Sequence, residues 1–373
     1  MHLKQYISRL QTNFLGFSTQ RKIVVIESDD WGSIRMPSPE VYQKYLQAGY
    51  PVDRNPFERY DSIASEDDLG VLFNLLLSFT DIHGHHPVIT ANCVVANPDF
   101  EKIKENNFEN YYYELITETF KRYPKHANNF EIWKKAQAEK LFFPQYHARE
   151  HLNVSKFMNA LNNQDKDVLF GFENRMPGSI RKGQTRNGNY FVEATNFNSA
   201  SDKDIKLQIY VDGLRIFSNL FGYKSKSVIP TNYIWASDFD RIIYLEGVRY
   251  LQGAGKMKSP SFEDYNYQHR VLGNLNEDGM INLVRNCGFE PTLSNVVDPV
   301  DYCLRDMSIA FAMNKPAIIN THRINYVGYI DVNNRDKNIM LLRKLLNEAT
   351  KRWPDIEFMT TVELGDLISN LNK

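Results

Sequence analysis

The sequence predicts an α/β fold with a mainly parallel sheet, arranged as an irregular, TIM-like (β/α) barrel of seven or eight strands. Three observations carry this. Short runs rich in β-branched residues alternate with stretches of helical periodicity, the pattern of parallel strands joined by helices. No repeat, low-complexity tract or Pro/Gly/Ser linker divides the 373 residues, a length that one large α/β barrel can use whole. Residues able to do chemistry fall where strands stop, the end of a parallel barrel where sites are built.

The elements follow in order. Within residues 1–20, Leu3, Tyr6, Ile7, Leu10 and Phe14 sit at helical spacing, so the chain opens on a short amphipathic helix. Strands are expected at 22–28, 88–95, 141–146, 168–172, 227–233, 248–252, 317–320 and 357–360. Helical patterns cover 67–82, 109–122, 150–161, 204–221, 299–313 and 335–352. Two stretches break the alternation, 171–203 and 253–299, and both are expected to be loop insertions in one barrel domain spanning 1–373.

Composition narrows the classes of function. The net charge of -1 gives no general electrostatic pull toward nucleic acid or an anionic membrane, so neither is an expected partner. No segment reaches the roughly 20 apolar residues of a membrane span. Charges interrupt the first 22 residues every few positions, unlike a secretory leader, and a cytoplasmic location is expected. Cys93, Cys287 and Cys303 form no CxxC pair, so a disulfide framework and a thiolate metal site are not indicated. Oligomeric state is not legible.

Three strand ends carry the chemistry. VVIESDDWG is an apolar strand running into Asp29 and Asp30, with Gly32 allowing a sharp turn. Neighbouring strand residues point to opposite faces, so both carboxylates can reach one site only where the strand stops. In FFPQYHAREHLNVSKF, His147 and His151 are four apart; if a helix begins at or before His147, both imidazoles share one face, as two nitrogen ligands on a divalent metal do. In PAIINTHRINYVG a buried strand ends on His322. A hydrolytic metal site needs three protein ligands, an open position for water, a base and an acid. These five residues are enough to supply each once.

The order Asp-Asp, His-x-x-x-His, strand-end His and then FMTTVELGDLI resembles the polysaccharide deacetylase (NodB-homology) family, a carbohydrate esterase type, from about Lys22 to Ile368. The resemblance implies a NodB-type barrel and a hydrolase that removes acetyl groups from a saccharide, acting on non-peptide C–N bonds or acetyl esters. It also implies roles: Asp30, His147 and His151 on a divalent metal, Asp29 as catalytic base, His322 as general acid. Zn2+ suits two His and an Asp, with Mn, Co, Ni or Fe compatible.

The sequence departs from the family pattern at several points. Ala148 stands where Ser or Thr is usual, and Trp31 where a small residue is common. The Arg-x-Pro-Tyr motif has no clean match, and the Asp expected near Tyr250–Gly253 is absent, which leaves the residues that orient the base unassigned. Around the pocket, Trp31, Glu173, Arg175, Tyr233 and Trp235 are the expected substrate-binding residues, the aromatics as sugar platforms. His83, His85 and His86 precede a strand, at the barrel's stability end, and are set aside as a metal site. Two other readings compete: a glycosidase or other C–N amide hydrolase on the same barrel, with Asp29 and Glu173 as the glycosidase's paired carboxylates, and a non-catalytic saccharide-binding relative.

Overall fold

The computed structural model describes residues 3–178, 182, 190–261, 265–293 and 296–371. Seven parallel staves form the central sheet: β1 (Lys22–Trp31), β2 (Ile89–Val94), β3 (Phe142–Ala148), β4 (Ser227–Val228), β5 (Tyr250–Gly253), β6 (Ile281–Val284, resumed at Cys287–Gly288) and β7 (Ala317–His322). They are hydrogen-bonded in the order β6, β5, β4, β3, β2, β1, β7, with the resumed part of β6 beyond β7. The two ends of that path are one stretch of chain, so the sheet closes on itself.

The closure is a change of partner within two residues. Arg285 N still donates to Gly253 O in β5 at 2.9 Å, whereas Asn286 N donates to Ile318 O in β7 at 3.2 Å. The Asn286 side chain splints the switch, donating to Pro316 O and accepting from Ile318 N, both at 2.8 Å. An eighth strand, β8 (Ile356–Phe358), pairs with the first residues of β1, below the point where β2 begins to pair at Ile26. The α/β barrel architecture read from the sequence is the one observed.

Ile23, Val24, Val25 and Ile26 of β1 are all buried, because a parallel strand in a barrel has one face on the interior and the other under helices. The helices at Glu66–Leu77, Asn129–Ala138, Pro299–Ala312 and Val332–Arg352 supply the outer layer, and Leu72, Leu76, Trp133, Leu304, Leu342 and Leu346 belong to the cluster they share with the sheet.

Several expected elements differ. Residues 168–172 are part of a helix, Lys166–Glu173, whose start is capped by Asp165 accepting from Asp167 N and Val168 N. A short apolar run reads equally as strand or helix, and the cap decides it. The stretch 253–299 is not a mere insertion: it holds β6, preceded by an antiparallel hairpin of Lys256–Pro260 with Tyr265–His269. Of 227–233 only the first two residues are strand, because Asn232 and Tyr233 turn the chain at φ 54° and 55°. Part of the other expected insertion, 171–203, lies outside the described residues. All three cysteines are buried and unpaired. Among the described residues no helix is long and apolar enough to cross a membrane.

Candidate metal centre and catalytic pocket

At the C-terminal end of β1 the backbone itself solves the alternation problem. The ladder with β2 slips between Ser28 and Trp31, and Asp30 takes φ 74°, followed by Gly32 at φ 85°. A left-handed Asp is uncommon and costs conformational energy, so surrounding contacts must hold it. The reversal turns the Asp30 and Asp29 side chains into one pocket of about 680 Å3.

His147 and His151 line the same pocket. His147 is in the last turn of β3 strand backbone, not on a helix, and His151 sits in the loop before the helix Val154–Asn162 begins at its Asn153 cap. The expected helical face is therefore absent, and a strand end followed by a tight loop brings the rings to 5.1 Å between centroids. Asp30 Oδ1 lies 3.5 Å from His147 Nε2 and 3.2 Å from His151 Nε2. One donor atom from each of the three falls within 4.8 Å of the others.

These atoms suit a cation. His147 Nδ1 donates to Ile229 O at 2.8 Å, which fixes the tautomer and leaves Nε2 as a lone-pair donor. That Nε2 is buried with no hydrogen-bond partner, a costly arrangement unless something fills it. Burial drives His151 down to about 4 against the pull of Asp30, so it is the neutral, ligating form near pH 7.

Asp29 is held from across the barrel. Arg285 grips it with two hydrogen bonds, Nη2 to Oδ1 and Nη1 to Oδ2, both 2.7 Å, and its Nε donates to Glu27 at 2.6 Å. Burial pushes Asp29 up, Arg285 overrides it, and the carboxyl comes to about 2. Asn92 adds a hydrogen bond to Oδ1 at 2.8 Å and is itself paired with Gln252 of β5. Next to Asp29 in the ladder stands His322, with Nε2 3.8 Å from Oδ2. Its Nδ1 donates to Glu290 at 2.5 Å. Burial would lower this imidazole; Glu290, with Asp29 behind it, raises it to about 10.

Arg285 and Glu290, which set the charges of Asp29 and His322, are positions the sequence did not reveal. Both flank CGF, within the apolar stretch MINLVRNCGF and just past it, in a region without any motif. The one available signal was an arginine inside a strand-like apolar run, which needs a buried counter-charge.

Of the expected substrate-binding residues, only Tyr233 lines the pocket; its hydroxyl accepts from Arg285 at 3.1 Å. Trp31 belongs instead to the hydrophobic core, edge-on to Phe142 at 4.9 Å with its indole N–H on Ser28. Trp235 is fully buried with its N–H on Asp240. Trp31 is the last residue of β1 and Trp235 follows the turn after β4, and core packing claims both. Glu173 ends a helix and Arg175 follows it, where a strand was expected, and both lie outside the pocket, paired with Lys104 and Glu101. The histidine cluster is at the other end of the barrel, where His83 meets Glu357 of β8 at 3.2 Å.

No known family's sequence profile matches the chain, and no curated protein matches it. Solved structures do. A protein from Parabacteroides distasonis described as a glycoside hydrolase/deacetylase superposes with a TM-score of 0.51 at 10% identity, over 94% of this chain and 72% of that one. A polysaccharide deacetylase assignment from Pseudomonas aeruginosa PAO1 gives 0.46 at 8% identity, over 93% and 91%. The 4-alpha-glucanotransferase from Thermococcus litoralis gives 0.43 at 9%, over 92% of this chain but only 40% of that one. At such identities the likeness is one of fold.

Proposed function

We propose that the protein is a metal-dependent hydrolase that removes an acetyl group from a saccharide. The observation that carries the reading is the meeting, in one pocket, of Asp30, His147 and His151 with two charge-set groups, Asp29 on Arg285 and His322 on Glu290. Two nitrogens and a carboxylate would hold a divalent ion, Zn2+ first and Mn, Co, Ni or Fe compatible. Such an ion lowers the pKa of water and polarises a carbonyl.

The chain's own groups do the rest. Asp29, ionised at any ordinary pH, accepts the proton of the attacking water, and Arg285 keeps it from turning away. A carboxyl at about 2 is a weak base, so it suits water that is already acidified rather than bulk water. His322, protonated below about 10, donates to the departing amine or alkoxide. Phe57, Tyr233 and Tyr265 give the open pocket aromatic surface on which a sugar ring can lie.

The glycosidase alternative loses its partner, since Glu173 is on the surface with Lys104 and away from the pocket that holds Asp29. The three unpaired, buried cysteines suit a reducing compartment, and the reading places the enzyme in the cytoplasm. The test is acetate release from N- and O-acetylated sugars by the metal-loaded protein. Asp29→Asn is expected to keep the metal and lose roughly 100-fold or more in rate. Metal binding without acetate release from any acetylated saccharide would leave a saccharide-binding relative as the better account.

A further inference from the structure

We propose that the substrate carries an anion, a carboxylate or a phosphate, close to its acyl group, and that Arg35 recognises it. The inference deepens the hydrolase reading and rests on it for the placement of the acyl group.

Arg35 lines the pocket with its side chain only 14% exposed. Its Nη2 is 3.6 Å from Asp30 Oδ2 and its Nε 3.9 Å from Asp61 Oδ2, both beyond hydrogen-bond length. The Nε is buried with no hydrogen-bond partner, and the guanidinium donates to none of the described residues. Every other buried arginine of the site is saturated. Arg285 is divided between Glu27 and Asp29, and Arg323 grips Asp61 through Nε and Nη2 at 3.1 and 2.9 Å.

Of the carboxylates nearby, the two that Arg35 pairs with are already committed, and Glu58, which lines the same pocket, makes no ion pair with it. Asp61 belongs to Arg323, and Asp30 faces two imidazoles and the ion they would share. With that ion in place Arg35 is a largely dehydrated cation whose ion-pair partners, Asp30 and Asp61, are shared with other cations, an arrangement that an arriving anion would relieve.

The local geometry says where the anion would sit. The Arg35 guanidinium lies 5.3 Å from the centre of the Phe57 ring, and His322 lies 5.9 Å from that ring between centroids. Arg35 and the proposed proton donor are thus separated by one aromatic side chain along a single wall. A saccharide over Phe57 would place its leaving group at His322 and an acidic substituent at Arg35. The ring contact is made by the guanidinium carbon and leaves the N–H groups to act as the fork that carboxylate and phosphate oxygens match in pairs.

The experiment is equilibrium binding of glucose, glucuronate and glucose 1-phosphate to the metal-loaded full chain, repeated with Arg35→Gln and Arg35→Lys. The wild type is expected to bind at least one of the two acids roughly tenfold tighter than glucose; which acid does so separates carboxylate from phosphate. Arg35→Gln should bring that ratio to about one, and Arg35→Lys, which keeps the charge and loses the fork, should reduce it. Absence of any preference in the wild type overturns the proposal, whatever the variants do. So does a preference that survives in folded Arg35→Gln, or that disappears only on chelation, because the anion would then be sitting on the metal. Should Arg35→Gln not fold, by circular dichroism, an unchanged ratio in Arg35→Lys overturns it. Acetate release is read separately: selectivity without hydrolysis would refute the hydrolase and leave the anion site standing.

Discussion

The ends of β1, β3 and β7 and the stretch from Arg285 to Glu290 serve one site in opposite ways, the first by lining the pocket and the second by holding Asp29 and His322. The three strand ends deliver Asp29, Asp30, His147, His151 and His322 through short motifs, because the position of each reacting atom is set by the backbone that carries it. The stretch that starts within the break in β6 delivers Arg285 and Glu290 with no motif at all. A group that only sets another's charge has to reach it, and in a closed barrel long side chains can do so from any stave. Reacting groups are tied to places in the chain, whereas charge-setting groups are tied to places in space.

The comparison can be broken most forcefully at Arg285. Replacing it with Met leaves Glu27 and Asp29 buried with no cation between them. The expected loss is about 3–5 kcal/mol, read from denaturant unfolding. Adding Glu27→Gln should recover part of it, since one of the two stranded charges is removed; no recovery would mean that Arg285 acts through packing alone.

Glu290 sharpens it next, through pH. Glu290 holds His322 at about 10, and the acid role requires the protonated ring. Activity is then expected to fall only as pH rises through that value. In Glu290→Gln the ring returns toward the ordinary histidine range near 6.5, so the alkaline limb moves down and the rate at pH 8.5 drops by up to about 100-fold. An unmoved limb in the pH profile of kcat/KM would remove Glu290 from the site.

The smallest effect is expected at Glu173, once a candidate on sequence grounds. It forms a surface pair with Lys104, both side chains more than half exposed. Glu173→Gln should change stability by less than about 1 kcal/mol and leave acetate release as it was. A large loss of turnover would reopen the glycosidase reading.

Much of this was legible, for identifiable reasons. The apolar β1 strand and the turn-forming Gly32 mark where the chain stops, and the order of three strand ends is enough to predict a shared pocket. The route by which His147 and His151 meet was not legible, since four-residue spacing fits a helix and also this strand-and-loop. Residues 168–172 were read as strand because VLFGF has no period long enough to separate strand from helix. Trp31 and Trp235 show a different limit: an aromatic at or past a strand end can face either the pocket or the core, and only the packed neighbours decide.

The central claim is a cation held by Asp30, His147 and His151, and a metal titration of the purified full chain tests it most directly. One divalent ion per chain is expected, with affinity falling at least about 100-fold in His147→Ala and in Asp30→Asn, the latter chosen because Asn tolerates the left-handed backbone. A chain that binds no divalent ion, or binds it equally well after both substitutions, contradicts the account.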